Sequence, residues 1–126
     1  MKTTLALLLL AVLISAPSFA ADAKPAPQKQ TIQGHLVDVA CATENAQKPK
    51  AGFAEKHDKD CLTMPDCVET GYSVLTADNK VIKFDKQGNE QAKKLIAQTN
   101  KKADWKIAVT GTVNGDTIAV DSLKLQ

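Results

Sequence analysis

Apolar and polar positions alternate with a period of two through "DWKIAVTGTVNGDTIAVDSLKL" (104–125). Trp105, Ile107, Val109, Gly111 and Val113 fall on one face, and Lys106, Ala108, Thr110 and Thr112 on the other. That is the period of a β-strand. Asn114-Gly115 is a favoured two-residue hairpin turn. Ile118 and Val120 continue the pattern on the return strand, but Leu123 and Leu125 are out of phase with them. The shift predicts a bulge or bend near Asp121-Ser122. A second hairpin is predicted over 71–85, "GYSVLTADNKVIKFD", with Asp78-Asn79 turning the chain. Between the hairpins the period changes. Ala92, Leu95, Ile96 and Thr99 lie at helical spacing in "GNEQAKKLIAQTN" (88–100), with Asn89 as the expected N-cap.

"TIQGHLVDVAC" (31–41) reads as a first strand. Ile32, Leu36 and Ala40 share one face; Val37, Val39 and Cys41 share the other, so both faces are apolar and the strand is expected to be buried on both sides. Gly34 suggests a bulge or sharp coil. On this reading Asp38 faces away from Cys41 and caps a turn or bonds nearby backbone amides. Residues 42–70 show no clean strand period, and a connection of that length is either tied down or functional. Its stretch "GFAEKHDKDC" could hold a short helix, placing Phe53, His57 and Cys61 on one face.

The expected order is β-β-β-α-β-β, with one helix and a long Cys/His-containing loop after the first strand. This is the order of a five-stranded OB-like barrel, mainly β in class; an α+β roll with an open sheet is the alternative. Tyr72 and Trp105 could form a stacking platform on such a barrel, although aromatics at these positions are more often core.

The N-terminus sets the compartment. Lys2 precedes an apolar run, Leu5 to Ile14, and Ser18-Phe19-Ala20 offers small residues at a cleavage site. This predicts a signal peptide over 1–20, and the run is too short for a membrane span. Residues 21–30, "ADAKPAPQKQ", are predicted to be a flexible leader, and 31–126 the domain. The protein is therefore expected to be exported, into the periplasm of a Gram-negative bacterium. The chain carries a formal net charge of +2 and no Arg. Without Arg's bidentate grip and with few aromatics, nucleic acid is not an expected partner.

Three cysteines in an exported chain leave one unpaired even if a disulfide closes. "HDKDCLTMPDC" places His57, Cys61, Met64 and Cys67 within eleven residues, downstream of Cys41. Cys41, His57, Cys61 and Cys67 form a Cys3His set suited to tetrahedral zinc, and thiolates near Met64 also suit copper. The competing reading is a disulfide. Joining Cys41 to a downstream cysteine would close a loop worth on the order of 3 kcal/mol, and joining Cys61 to Cys67 a small local loop instead; either gives a stapled barrel that binds a small ligand, glycan or protein. The odd cysteine could also link two chains. A thiol-based redox or Cys–His enzyme is the third reading, without a C-x-x-C motif behind it. His35 reads as a satisfied strand residue that could stand in for His57, and Met64 as a packing residue.

Gly34, Asp38 and Cys41 spell G-x-x-V-D-x-x-C on the first strand, and His57, Cys61 and Cys67 spell H-x3-C-x5-C. With Gly71-Tyr72 and the strand Val109 to Val113, this pattern resembles small exported bacterial proteins with an OB-like fold and no assigned activity. The resemblance implies fold and compartment and brings no function with it.

Overall fold

Five strands close into a barrel: β1 (Gln28–Asp38), β2 (Tyr72–Leu75), β3 (Val81–Phe84), β4 (Lys106–Asn114) and β5 (Thr117–Leu125). The computed structural model describes residues 26–126, so the expected signal peptide and the first half of the expected leader lie outside the described residues. Around the barrel the order is β1-β2-β3-β5-β4, with β4 closing onto β1. Every pairing is antiparallel except β3 beside β5.

β1 spans both of its neighbours in turn. Gln28 to His35 pair with β4, and His35 to Asp38 pair with β2. Its bounds lie three residues earlier than the apolar pattern suggests. The polar residues Gln28 to Gln30, expected in the leader, join because the long edge of β4 offers them backbone partners at Val113, Thr112 and Gly111. Gly34 marks no bulge. It lets the chains approach, since a Cβ there would lie 2.4 Å from the Leu75 carbonyl oxygen.

The bulge near Asp121 is present. Thr110 pairs with Ser122 and Gly111 with Val120, leaving Asp121 as the extra residue. Because Asn114 pairs with Thr117, the hairpin turn is Gly115-Asp116, one residue later than expected, with Gly115 at φ 65°. In the β2–β3 hairpin Asn79 takes the left-handed conformation at φ 60°, as the Asp78-Asn79 turn requires.

The expectation of one helix is wrong: there are five among the described residues. Four occupy the connection after β1, namely α1 (Val39–Gln47), α2 (Phe53–Lys56), α3 (Lys59–Thr63) and α4 (Pro65–Thr70). Strand periodicity is a poor guide here because these helices are short and set by caps. Asp38 accepts the Cys41 N–H and Asp58 accepts the Cys61 N–H, each at 2.9 Å, so two Asp-x-x-Cys stretches are helix starts. Pro65 occupies the first turn of α4.

The fifth helix, α5 (Lys86–Gln98), starts two residues before the expected range. Its cap is Asp85, which accepts from Gly88 N–H. Asn89 instead ties the helix to the barrel, accepting the Tyr72 N–H at 2.7 Å and donating to the Phe84 carbonyl.

The main core fills the barrel and the space under α5, with Leu36, Tyr72, Trp105, Ile107 and Ile118 at its centre. Tyr72 and Trp105 are buried in it and present no stacking platform. A second, smaller cluster, Val37, Ala42 and Leu75 with Phe53 against it, lies under the inserted helices. Backbone bonds pin that insertion at its ends and middle: Val39 N–H to Gly71 O, Lys59 N–H to Lys102 O, and Asp104 N–H to Glu55 O. The Tyr72 hydroxyl donates to Leu62 O at 2.8 Å and fastens α3 to the barrel.

Candidate metal centre

The chain stops being a strand at Asp38 and becomes a helix at Val39. This change of period overturns the expectation that Asp38 faces away from Cys41. On one strand, residues three apart point to opposite faces. Across an N-cap, the third helical residue comes back over the capping side chain. Asp38 Oδ2 therefore accepts the Cys41 N–H, and the Cys41 thiol lies beside the same carboxylate.

Cys67 reaches the same place from α4, which packs against α1. One carboxylate oxygen of Asp38 and the sulfurs of Cys41 and Cys67 all lie within 4.8 Å of one another. Asp38 is fully buried and forms the floor; both thiols are half-buried. Among the described residues no two cysteines are joined, and all three carry free thiols.

His57 and Cys61 fall outside this three-residue group. The short helix proposed for Phe53, His57 and Cys61 is two helices, because the chain extends at His57 and Asp58 caps α3. His57 turns inward, and its Nε2 lies 3.1 Å from Asp38 Oδ1, the two side chains being 3% and 0% exposed. Neither of these two atoms has a directed hydrogen bond. The contact is a close buried pair held by packing, including the Phe53 ring 5.4 Å away. Cys61 is half-buried on α3. His35 bonds Asp104 at 2.9 Å, a satisfied strand residue. Met64 does not pack: it is 51% exposed at the junction of α3 and α4.

Electrostatics follows from this crowding. Burial pushes Asp38 up, but the imidazole of His57 and the Cys41 N–H outweigh it and hold the carboxyl below its ordinary 3.8. Burial pushes the Cys41 thiol up to about 12, with the Asp38 charge adding to it. Cys61 and Cys67 are also pushed up, first by burial and then by Asp58 and Asp38 respectively. The three cysteines are thiols at neutral pH in the metal-free protein. A cation would reverse that, since metal ligation takes the thiolate.

A second feature is lined by none of the three cysteines. A cleft of about 460 Å³ opens between the barrel and α2, lined by Gln33, His35, Phe53, Leu75, Asn79 and Lys106 among others.

Comparison with known proteins returns no match to a family model, a curated protein or a solved structure.

Asp38 is the residue that strand periodicity missed. Its signal is the repeated Asp-x-x-Cys spacing, Asp38 to Cys41 and Asp58 to Cys61, which reads as N-cap and third helical position.

Proposed function

We propose that this protein is an exported, periplasmic and non-enzymatic binding module on an OB-like barrel, and that it binds a metal ion, zinc or copper, where the helical insertion meets the barrel. One observation supports the metal: Asp38, Cys41 and Cys67 bring three ligand atoms within 4.8 Å of one another. Ligand atoms around one tetrahedral zinc stand roughly 3.3–3.8 Å apart, given Zn–S near 2.3 Å and Zn–O near 2.1 Å. Small rotamer adjustments of two half-buried thiols cover the difference. Cys61 and His57, the other members of the expected Cys3His set, are the candidates for the remaining positions. Export rests on the charged and apolar N-terminal pattern and on the resemblance to small exported proteins.

The enzyme reading is weaker. A nucleophilic cysteine needs a base beside it and a lowered pKa. His57 lies against Asp38, and all three thiols are pushed upward.

The second reading is a disulfide-stapled module that takes a small ligand, glycan or protein partner in the cleft beside Phe53. It is favoured by the closeness of the Cys41 and Cys67 sulfurs and by the cleft itself. A Cys41–Cys67 bond would tie α1 to α4 and is worth about 3.5 kcal/mol in the chain-entropy model.

Intact mass of protein purified from the periplasm without reductant separates the two, measured under native and denaturing conditions. Three free thiols and a native mass increment of zinc or copper support the metal site. Loss of two hydrogens, with Cys41 and Cys67 in one linked peptide and no metal, supports the staple and sinks the metal reading.

A further inference from the structure

We infer that the ion taken by this site is copper(I), with the thioether of Met64 as its outermost ligand; the inference rests on the metal reading above. Met64 is the exposed large hydrophobic residue among those described, at 51% exposure. It is the C-cap of α3 and the N-cap of α4, three residues after Cys61 and three before Cys67. Its N–H bonds the Cys61 carbonyl at 3.3 Å, and its own carbonyl accepts the Val68 N–H at 2.9 Å. Its backbone is therefore held on both sides.

The side chain does neither of the two things expected at this place. A helix N-cap favours Ser, Thr, Asp or Asn, whose oxygen bonds an N–H of the first turn. Met64 makes no such bond. An apolar side chain beside a core is expected to bury itself, and Met64 remains in water. Single exposed apolar residues are common; this one lies midway in sequence between Cys61 and Cys67, and it is the N-cap of the helix whose third residue is Cys67, the same relation that Asp38 has to Cys41. A thioether in that position is a soft donor.

The rest of the donor set points the same way. Asp38 Oδ2 is already held by the Cys41 N–H, and Oδ1 faces His57. Asp38 supplies one hard oxygen from the buried side of the group, and the half-buried positions are sulfur, Cys41 and Cys67, with Met64 more exposed than either. Thiolate with thioether selects copper(I), whereas zinc gains little from a thioether. An exposed, uncharged and weakly bonding ligand also suits an ion that must enter and leave.

The test uses reduced full-length mature protein without oxygen, titrated into the copper(I) complex of bathocuproine disulfonate, and separately into zinc with a chromophoric chelator. The expected result is one copper(I) withdrawn per chain. Met64→Leu, which keeps size and apolarity, weakens copper(I) binding about tenfold and leaves zinc binding unchanged. Matching circular dichroism and thermal melting confirm that the variant is folded. Equal copper(I) affinity of Met64→Leu and wild type overturns the thioether's role while the metal site stands. Zinc binding without copper(I) binding overturns the choice of ion. If neither ion binds wild type, and the Cys41→Ser/Cys67→Ser double variant behaves identically, the metal reading itself fails.

Discussion

Asp38 lies between Cys41 and His57. One carboxylate oxygen accepts the Cys41 N–H at 2.9 Å, and the other faces His57 Nε2 at 3.1 Å. One side chain thus ends a strand, starts a helix and accompanies a buried imidazole. Asp38→Ala removes the cap, at about 1 kcal/mol, and takes away the carboxylate that lies against the buried His57 ring. The expected loss is roughly 1–2 kcal/mol in urea unfolding of reduced, metal-free protein. Asp38→Asn keeps an acceptor for Cys41 and costs less. Equal losses in the two variants would show that capping contributes nothing.

The same residue predicts a pH dependence. Asp38 is held below its ordinary 3.8 in the folded protein, so near that pH the unfolded chain binds the proton more readily. Its stabilisation is complete above that value and is lost as pH falls through the folded pKa. The stability advantage of wild type over Asp38→Asn therefore shrinks between about pH 5 and pH 2. Paired urea midpoints across that range measure it; a constant difference would contradict the assignment.

The thiols should be slow to alkylate. With Cys41 pushed up to about 12 from an ordinary 9.0, its thiolate fraction at pH 8 is about a thousandth of an ordinary cysteine's. Native, reduced, metal-free protein treated with iodoacetamide is expected to label at Cys41 last, with Cys61 and Cys67 slower than in urea. Peptide mass mapping over time reads the order. Rapid labelling of native Cys41 would indicate an activated nucleophile and revive the enzyme reading.

Gly34 tests the barrel that carries the site. A methyl there would meet the Leu75 carbonyl oxygen at 2.4 Å and the Val74 side chain at 2.7 Å. Backbone cannot step aside cheaply, so Gly34→Ala is expected to cost about 1–3 kcal/mol. The damage falls where β1 passes from β4 to β2, and amide exchange should rise first at Leu36 and Val37. An unchanged melting temperature would show that the strands separate freely.

Four of the five barrel strands are legible along the chain itself. Tyr72 to Leu75, Val81 to Phe84 and the β4–β5 hairpin follow a period of two, and the phase slip at Leu123 announced the bulge at Asp121. Those signals are legible because a strand's pattern repeats along its own few residues. The sequence also named Cys41 and Cys67 as chemistry-bearing. Their company came only with folding. Short helices such as Phe53–Lys56 bury too little to leave a periodic stripe, so α1 to α4 had to be placed by caps and by bonds to the barrel. Folding that connection back set Cys67 beside Cys41, drew Asp38 into their group, turned His57 toward the carboxylate, and left Met64 in water. Each of these is a contact between residues far apart along the chain or across a change of backbone geometry, and local periodicity carries no information about either.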